Sequence, residues 1–85
     1  MYIQNKEFEV VDSKGNGVVL LSPLMDVIYS LDEVEAIIWN LFHTPCDVEC
    51  AYFDSLKQIP EYEIEKIDFL AFVHELIDKS ILIEV

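Results

Sequence analysis

Arginine is absent from this sequence, and glycine is scarce. The 85 residues include two glycines, and their 5 Lys+Arg are all lysine, against 17 Asp+Glu, for a formal net charge of −12. A surface this acidic repels phosphate backbones and anionic lipids, so nucleic-acid and membrane binding are disfavoured. The charge favours basic or neutral peptides and proteins as partners, although a simple role in solubility explains it equally well.

Long apolar runs are also absent. Every apolar run is far shorter than the ~20 residues that a membrane-spanning helix needs. Residues 1–6 do not resemble a signal peptide, because they lack its apolar segment. The two cysteines, Cys46 and Cys50, do not make a disulfide framework. We therefore expect a cytoplasmic protein with reduced thiols.

The length allows one domain, residues 1–85, with a single compact core. A hydrophobic share of 53% excludes intrinsic disorder, and part of this apolar content could await a partner. The chain contains no nucleophile elbow, phosphate-binding loop or Ser/His/Asp set. We therefore expect a binding protein without a cofactor rather than an enzyme.

The first third of the chain has the pattern of a β-meander. Residues 7–12 carry Phe8, Val10 and Val11, and residues 17–22 contain a β-branched apolar run. The two segments meet at a Ser-Lys-Gly-Asn-Gly sequence that is typical of a hairpin turn. Pro23 ends the second strand. Residues 26–31 then alternate in character, which predicts a third strand.

The remainder of the chain predicts helices. Ser30 or Asp32 can cap the first helix, which carries Trp39 as a core residue and ends at residues 43–45. A second helix spans 47–58 and a third 61–79, with Glu61 in its acidic first turn. Residues 81–83 either pack on the core or add a strand. The predicted fold is α+β, a small winged-helix-like domain with a three-stranded antiparallel sheet followed by three helices (β-β-β-α-α-α).

The third predicted helix carries two apolar stripes where a helix lying on one core needs only one. At about 100° per residue, the first stripe is formed by Phe69, Phe72, Val73, Leu76 and Ser80. The second is formed by Ile67, Leu70, Ala71, His74 and Ile77. This second stripe is either buried or lines a groove. An edge strand at 26–31 beside such a groove would accept an extended peptide.

Two segments resemble the PqqD-like family of RiPP recognition elements. The segment IYSLDEVEAIIWNL, residues 28–41, is similar to the family's pattern of an aromatic residue, a Leu-Asn pair, small residues and Ile-Trp. Residues 64–82, with Asp68-Phe69, Phe72-Val73 and Ser80-Ile81-Leu82, resemble its ending. Asp32 stands where the family has Asn, and Ser80 stands where it has Gly, which affects the turn after the last helix.

The resemblance implies that the protein binds a peptide and does not itself catalyse a reaction. In the family, the leader of a precursor peptide adds as a strand to the third β-strand and packs on the third helix, and a partner enzyme then modifies the peptide. That enzyme could be a radical SAM maturase, a leader peptidase or a cyclase. The expected peptide-binding residues are Asp26, Val27, Ile28, Tyr29, Ser30, Ile67, Leu70, Ala71 and His74.

Other functions and sites have less support. A winged-helix DNA-binding regulator would need a basic recognition helix, and none is present. An acidic adaptor subunit that binds a basic protein remains an alternative. His43, Cys46 and Cys50 are too few for a zinc site, so we expect structural cysteines and no metal.

Overall fold

The computed structural model describes residues 1–12, 17–24 and 26–85. Within these ranges the chain forms three α-helices and five strands, all paired antiparallel. The strands are β1 (Tyr2–Gln4), β2 (Glu9–Asp12), β3 (Val18–Ser22), β4 (Val27–Leu31) and β5 (Leu82–Glu84). The helices are α1 (Glu33–Asn40), α2 (Val48–Gln58) and α3 (Lys66–Asp78). The α+β class, the antiparallel pairing and the three helices are confirmed.

The strands form two sheets, so the prediction of a single three-stranded sheet followed by helices is wrong. The meander β2-β3-β4 is present, and a second sheet pairs β1 with β5. In that sheet Ile3 lies opposite Ile83, and the main chain of Tyr2 also pairs with Cys46. A strand of three residues is too short to show alternation, and its partner lies at the other end of the chain. The tail at 81–83 therefore contributes to a strand.

Local side-chain caps set the starts of α1 and α2. The Asp32 carboxylate accepts from the backbone N–H of Glu35 at 2.8 Å, and the Glu35 carboxylate accepts from that of Asp32 at 2.9 Å. This reciprocal pair is a capping box. Asp47 caps α2 by accepting from the backbone N–H of Glu49 at 2.9 Å. These starts agree with the cap at Asp32 and the second helix predicted at 47–58.

The third helix is shorter than the predicted span of 61–79. It begins at Lys66, and a separate 3-10 helix spans Pro60–Tyr62. The break falls at Glu63, whose φ of 46° is in the left-handed region that an α-helix cannot contain. Glu61, Glu63 and Glu65 therefore lie outside α3, so the prediction that the helix has an acidic first turn beginning at Glu61 is wrong.

The core lies between the helices and the inner face of the meander. Leu20, Phe42 and Phe69 are completely or almost completely buried there, together with Leu76 and Ile81. Trp39 is half-buried and packs against this core. A Cβ atom at Gly17 would lie 2.5 Å from the carbonyl oxygen of Leu31, so β3 begins where the backbone approach leaves no room for a side chain.

Two predictions concern other features of the chain. The hairpin turn predicted at Ser13-Lys14-Gly15-Asn16 lies outside the described residues. None of the helices in the described ranges combines the length and the apolar character needed to cross a membrane.

Candidate functional site

Strand β4 is at one edge of the meander. Its residues pair with β3 from Val18↔Leu31 to Ser22↔Val27, and no other strand in the described part of the chain pairs with it. An edge strand presents main-chain N–H and C=O groups that can pair with another chain. Four of the predicted binding residues, Val27 to Ser30, lie in this strand. Asp26, which was also predicted to bind the peptide, directly precedes this strand and has a left-handed conformation (φ 52°).

The side chains of β4 alternate between the two faces of the sheet. Leu31 is buried and Tyr29 half-buried, and both share the inner face with Leu20, since paired residues point the same way. Ile28 and Ser30 point to the outer face, where Ile28 is 68% exposed. Val27 belongs to the inner row but is still 39% exposed. The edge therefore offers apolar side chains on both faces.

Tyr29 connects this edge to α3. The Lys79 ammonium lies over the Tyr29 ring, 5.4 Å from its centroid. Partial burial, followed by the neighbouring carboxylate of Glu75 and then that of Glu35, raises the pKa of Tyr29 to about 12. The C-terminal end of α3 is thus in contact with the inner face of β4 through Tyr29, Glu75 and Lys79.

The predicted α3 residues are mostly exposed. Ile67 is 73% exposed, Ala71 and His74 are also exposed, and Leu70 is half-buried against the core. The stripe that the sequence left open as core or groove is therefore neither wholly buried nor a closed groove. The core face of the helix is formed by Phe69, Val73 and Leu76, as the first stripe predicted.

Glu75 and Lys79 lie on a different flank of α3 from most of the predicted residues. At about 100° per residue, Ile67, Leu70 and His74 are roughly 100–160° around the axis from the middle of that flank, and Ala71 lies between. The structure brings β4 together with Glu75 and Lys79, which were not among the predicted residues. No periodicity in the sequence would have identified them, because their contact with Tyr29 joins segments more than forty residues apart.

A separate pocket of about 560 Å³ lies where α1 ends and α2 passes. Its lining includes His43, Cys46 and Asp54, but no residue of β4 or α3. Burial, followed by the nearby Asp54 carboxylate, raises the pKa of the Cys46 thiol, which makes the thiolate less available. No three His, Cys, Asp or Glu side chains within the described ranges are grouped so that they could hold a metal ion.

Comparisons of the chain with protein-family models, curated proteins and solved structures gave no match.

Proposed function

We propose that this protein binds an extended peptide by strand addition to β4, and that the peptide is the leader of a ribosomally made precursor. The bound peptide is delivered to a separate modifying enzyme, and the protein contributes binding rather than chemistry. The proposal rests first on one observation: β4 is an edge strand with exposed apolar side chains, and α3 contacts its inner face through Tyr29.

The main chain of β4 supplies the first part of the interaction. Strand addition gains affinity from main-chain hydrogen bonds and specificity from alternate side chains. A peptide beside β4 would place alternate residues next to Val27 and Tyr29 on the inner face, and the others next to Ile28 and Ser30. Both rows offer apolar contact, so a peptide with β-branched or aromatic residues suits the edge.

Helix α3 supplies the second part. Its flank with Glu75 and Lys79 is the one in contact with Tyr29 of β4, so we place the helix contribution there. The resemblance favours instead Ile67, Leu70, Ala71 and His74. A net charge of −12 favours a leader with a basic character in either arrangement.

Binding is tested with labelled synthetic leaders from short reading frames encoded beside the gene. We expect saturable binding at tens of micromolar or tighter by fluorescence anisotropy. Two versions of the binding leader, N-methylated on alternate residues in opposite registers, then test the strand pairing. One version should lose binding and the other should keep it, because only every second N–H of an added strand faces its neighbour.

Three exposed apolar residues, Ile28 in β4, Val11 in β2 and Ile67 in α3, allow the same change to aspartate to be compared on three surfaces of the protein. Ile28→Asp should weaken leader binding about fivefold, which corresponds to a cross-strand contact of up to about 1 kcal/mol. Val11→Asp is the control, since Val11 is 51% exposed in β2, at the opposite edge of the sheet. Each change adds one negative charge, so a general charge effect would weaken both variants equally.

Ile67→Asp decides between the two flanks of α3. An unchanged affinity supports the flank with Glu75, whereas a loss as large as that of Ile28→Asp supports the residues favoured by the resemblance. The proposal of strand addition fails if no leader binds, or if both N-methylated versions bind like the parent peptide.

A further inference from the structure

The contact between Tyr29, Glu75 and Lys79 has the composition of a recognition site for a cation. We propose that the Tyr29 ring and the Glu75 carboxylate bind one arginine side chain of the leader, and that Lys79 occupies this site when no peptide is present. This inference rests on the proposed function and specifies which leaders the protein selects.

The chemistry of the three side chains supports this inference. A cation within about 6 Å of an aromatic centroid is attracted by the negative face of the ring, and Lys79 lies at 5.4 Å from Tyr29. The Glu75 carboxylate beside the same ring adds a negative charge. The site therefore already holds one cation, which shows that a positively charged group fits there.

Lys79 is held weakly and can be displaced. The residue is exposed and follows the last turn of α3 as its C-cap. Lysine is a strongly hydrated point charge on a flexible stem, whereas the guanidinium of arginine is planar, stacks on aromatic rings and binds carboxylates through two hydrogen bonds. An arginine that arrives on a rigid strand would therefore displace Lys79.

The geometry of strand addition brings such an arginine to Tyr29. Residues directly opposite each other on neighbouring antiparallel strands share a face, with Cβ atoms about 4.5–5.5 Å apart. On one side Tyr29 faces Leu20 of β3, which is completely buried. On the other side, the peptide residue opposite Tyr29 would project along the inner face toward Glu75. One leader position is thus selected for positive charge.

The experiment uses the leader that binds in the anisotropy assay and replaces each of its arginines and lysines in turn. Citrulline replaces arginine, because it keeps the shape of the side chain and removes the charge, and acetyl-lysine replaces lysine, because acetylation removes the charge of the amine. We expect one position at which an arginine-to-citrulline change weakens binding about tenfold, while the other positions change much less.

Variants of the protein identify the partner of that arginine. Glu75→Gln should weaken binding of the parent leader about tenfold and have little effect on the citrulline leader. Glu84→Gln in β5 is its control for lost negative charge. Lys79→Met should strengthen binding of the parent leader about threefold, because it removes the internal competitor. Lys57→Met, at the exposed end of α2, is the control with the same change in charge.

The outcomes separate the two proposals. If no leader binds, both fall. If a leader binds but its affinity does not depend on any single arginine, or if Lys79→Met has no larger effect than Lys57→Met, strand addition stands and the arginine site is excluded. A binding leader that contains no arginine excludes the arginine site as well.

Discussion

Tyr29 has an unusual position among the side chains of β4, because it is half-buried between a core and a charged helix end. Its ring contacts Lys79, and its hydroxyl lies near the carboxylate of Glu75. Burial and nearby negative charge both oppose ionisation of a phenol. Only the negative charge also attracts a cation to the ring, so the ionisation of Tyr29 reports on the burial and charge of its surroundings rather than on cation binding itself.

A spectrophotometric titration of the tyrosines tests this environment. The pKa of Tyr29 is raised to about 12, so folding favours its neutral form. The contribution of neutral Tyr29 to the stability of the fold is therefore fully present below pH 10, the ordinary pKa of a tyrosine, and is lost as the pH rises through about 12. In Tyr29→Phe we expect loss of the phenolate absorbance that develops near pH 12, measured immediately after a pH jump.

Tyr62→Phe provides the comparison for this titration. The pKa of exposed Tyr62 is also raised, first by the Glu33 carboxylate and only then by desolvation, whereas burial is the largest cause for Tyr29. Removing Tyr62 should leave the absorbance step near pH 12 in place. If Tyr29→Phe retains that step at full amplitude, the environment described for Tyr29 is wrong.

At the scale of elements, α3 ends in a well-defined C-terminal capping motif. The Ser80 N–H donates to the carbonyl of Ile77, and the Ile81 N–H donates to that of Leu76, which is the pattern of a Schellman motif. Ser80 has a φ of 61°, and the following Ile81 is completely buried with Leu76. The motif turns the chain from α3 into β5.

Ser80→Gly should stabilise the protein. A left-handed conformation costs a residue with a Cβ atom roughly 1–2 kcal/mol, and glycine adopts it freely but loses more entropy on folding. The expected net gain is about 0.5–1 kcal/mol in the free energy of unfolding, measured by urea denaturation. Ala71→Gly is the control, because Ala71 is exposed in the interior of α3 and this change should lose about 1 kcal/mol. Equal losses in both variants would contradict the Schellman assignment.

At the scale of the whole molecule, few close ion pairs balance the negative charge among the residues that the structure describes. The ion pair between Lys66 and Glu49 is 2.8 Å long, but both side chains are about half exposed, so its contribution is small. The remaining excess of carboxylates produces self-repulsion that favours expanded states. The fold therefore depends mainly on its apolar core and main-chain hydrogen bonds.

Sodium chloride should stabilise the protein, because salt screens repulsion between exposed charges. We expect the free energy of unfolding to rise by about 1 kcal/mol between low and moderate salt, as measured by urea denaturation at neutral pH. A double variant, Glu84→Gln with Asp78→Asn, should show a smaller rise. A stability that falls with salt would mean that attractive pairs dominate the surface.

The sequence predicted the features that depend on local chemistry. The cap at Asp32 (one of two candidates, with Ser30), the start of the second helix at residue 47, the core stripe of α3 and the meander strands depend on residues within a few positions of one another. Helical and alternating periodicities therefore reveal them. The residues of β4 were also identified from their alternation, whereas the apolar excess of α3 left open whether its second stripe is buried or exposed.

Only the tertiary structure decided the contacts between distant segments. It paired β1 with β5 across the length of the chain, and it placed β4 at an edge and so left its main chain available. It also turned Glu75 and Lys79, rather than Ile67 and His74, toward Tyr29. The rotation of a helix against a sheet depends on how all the core side chains pack together, and no single segment of sequence contains that information.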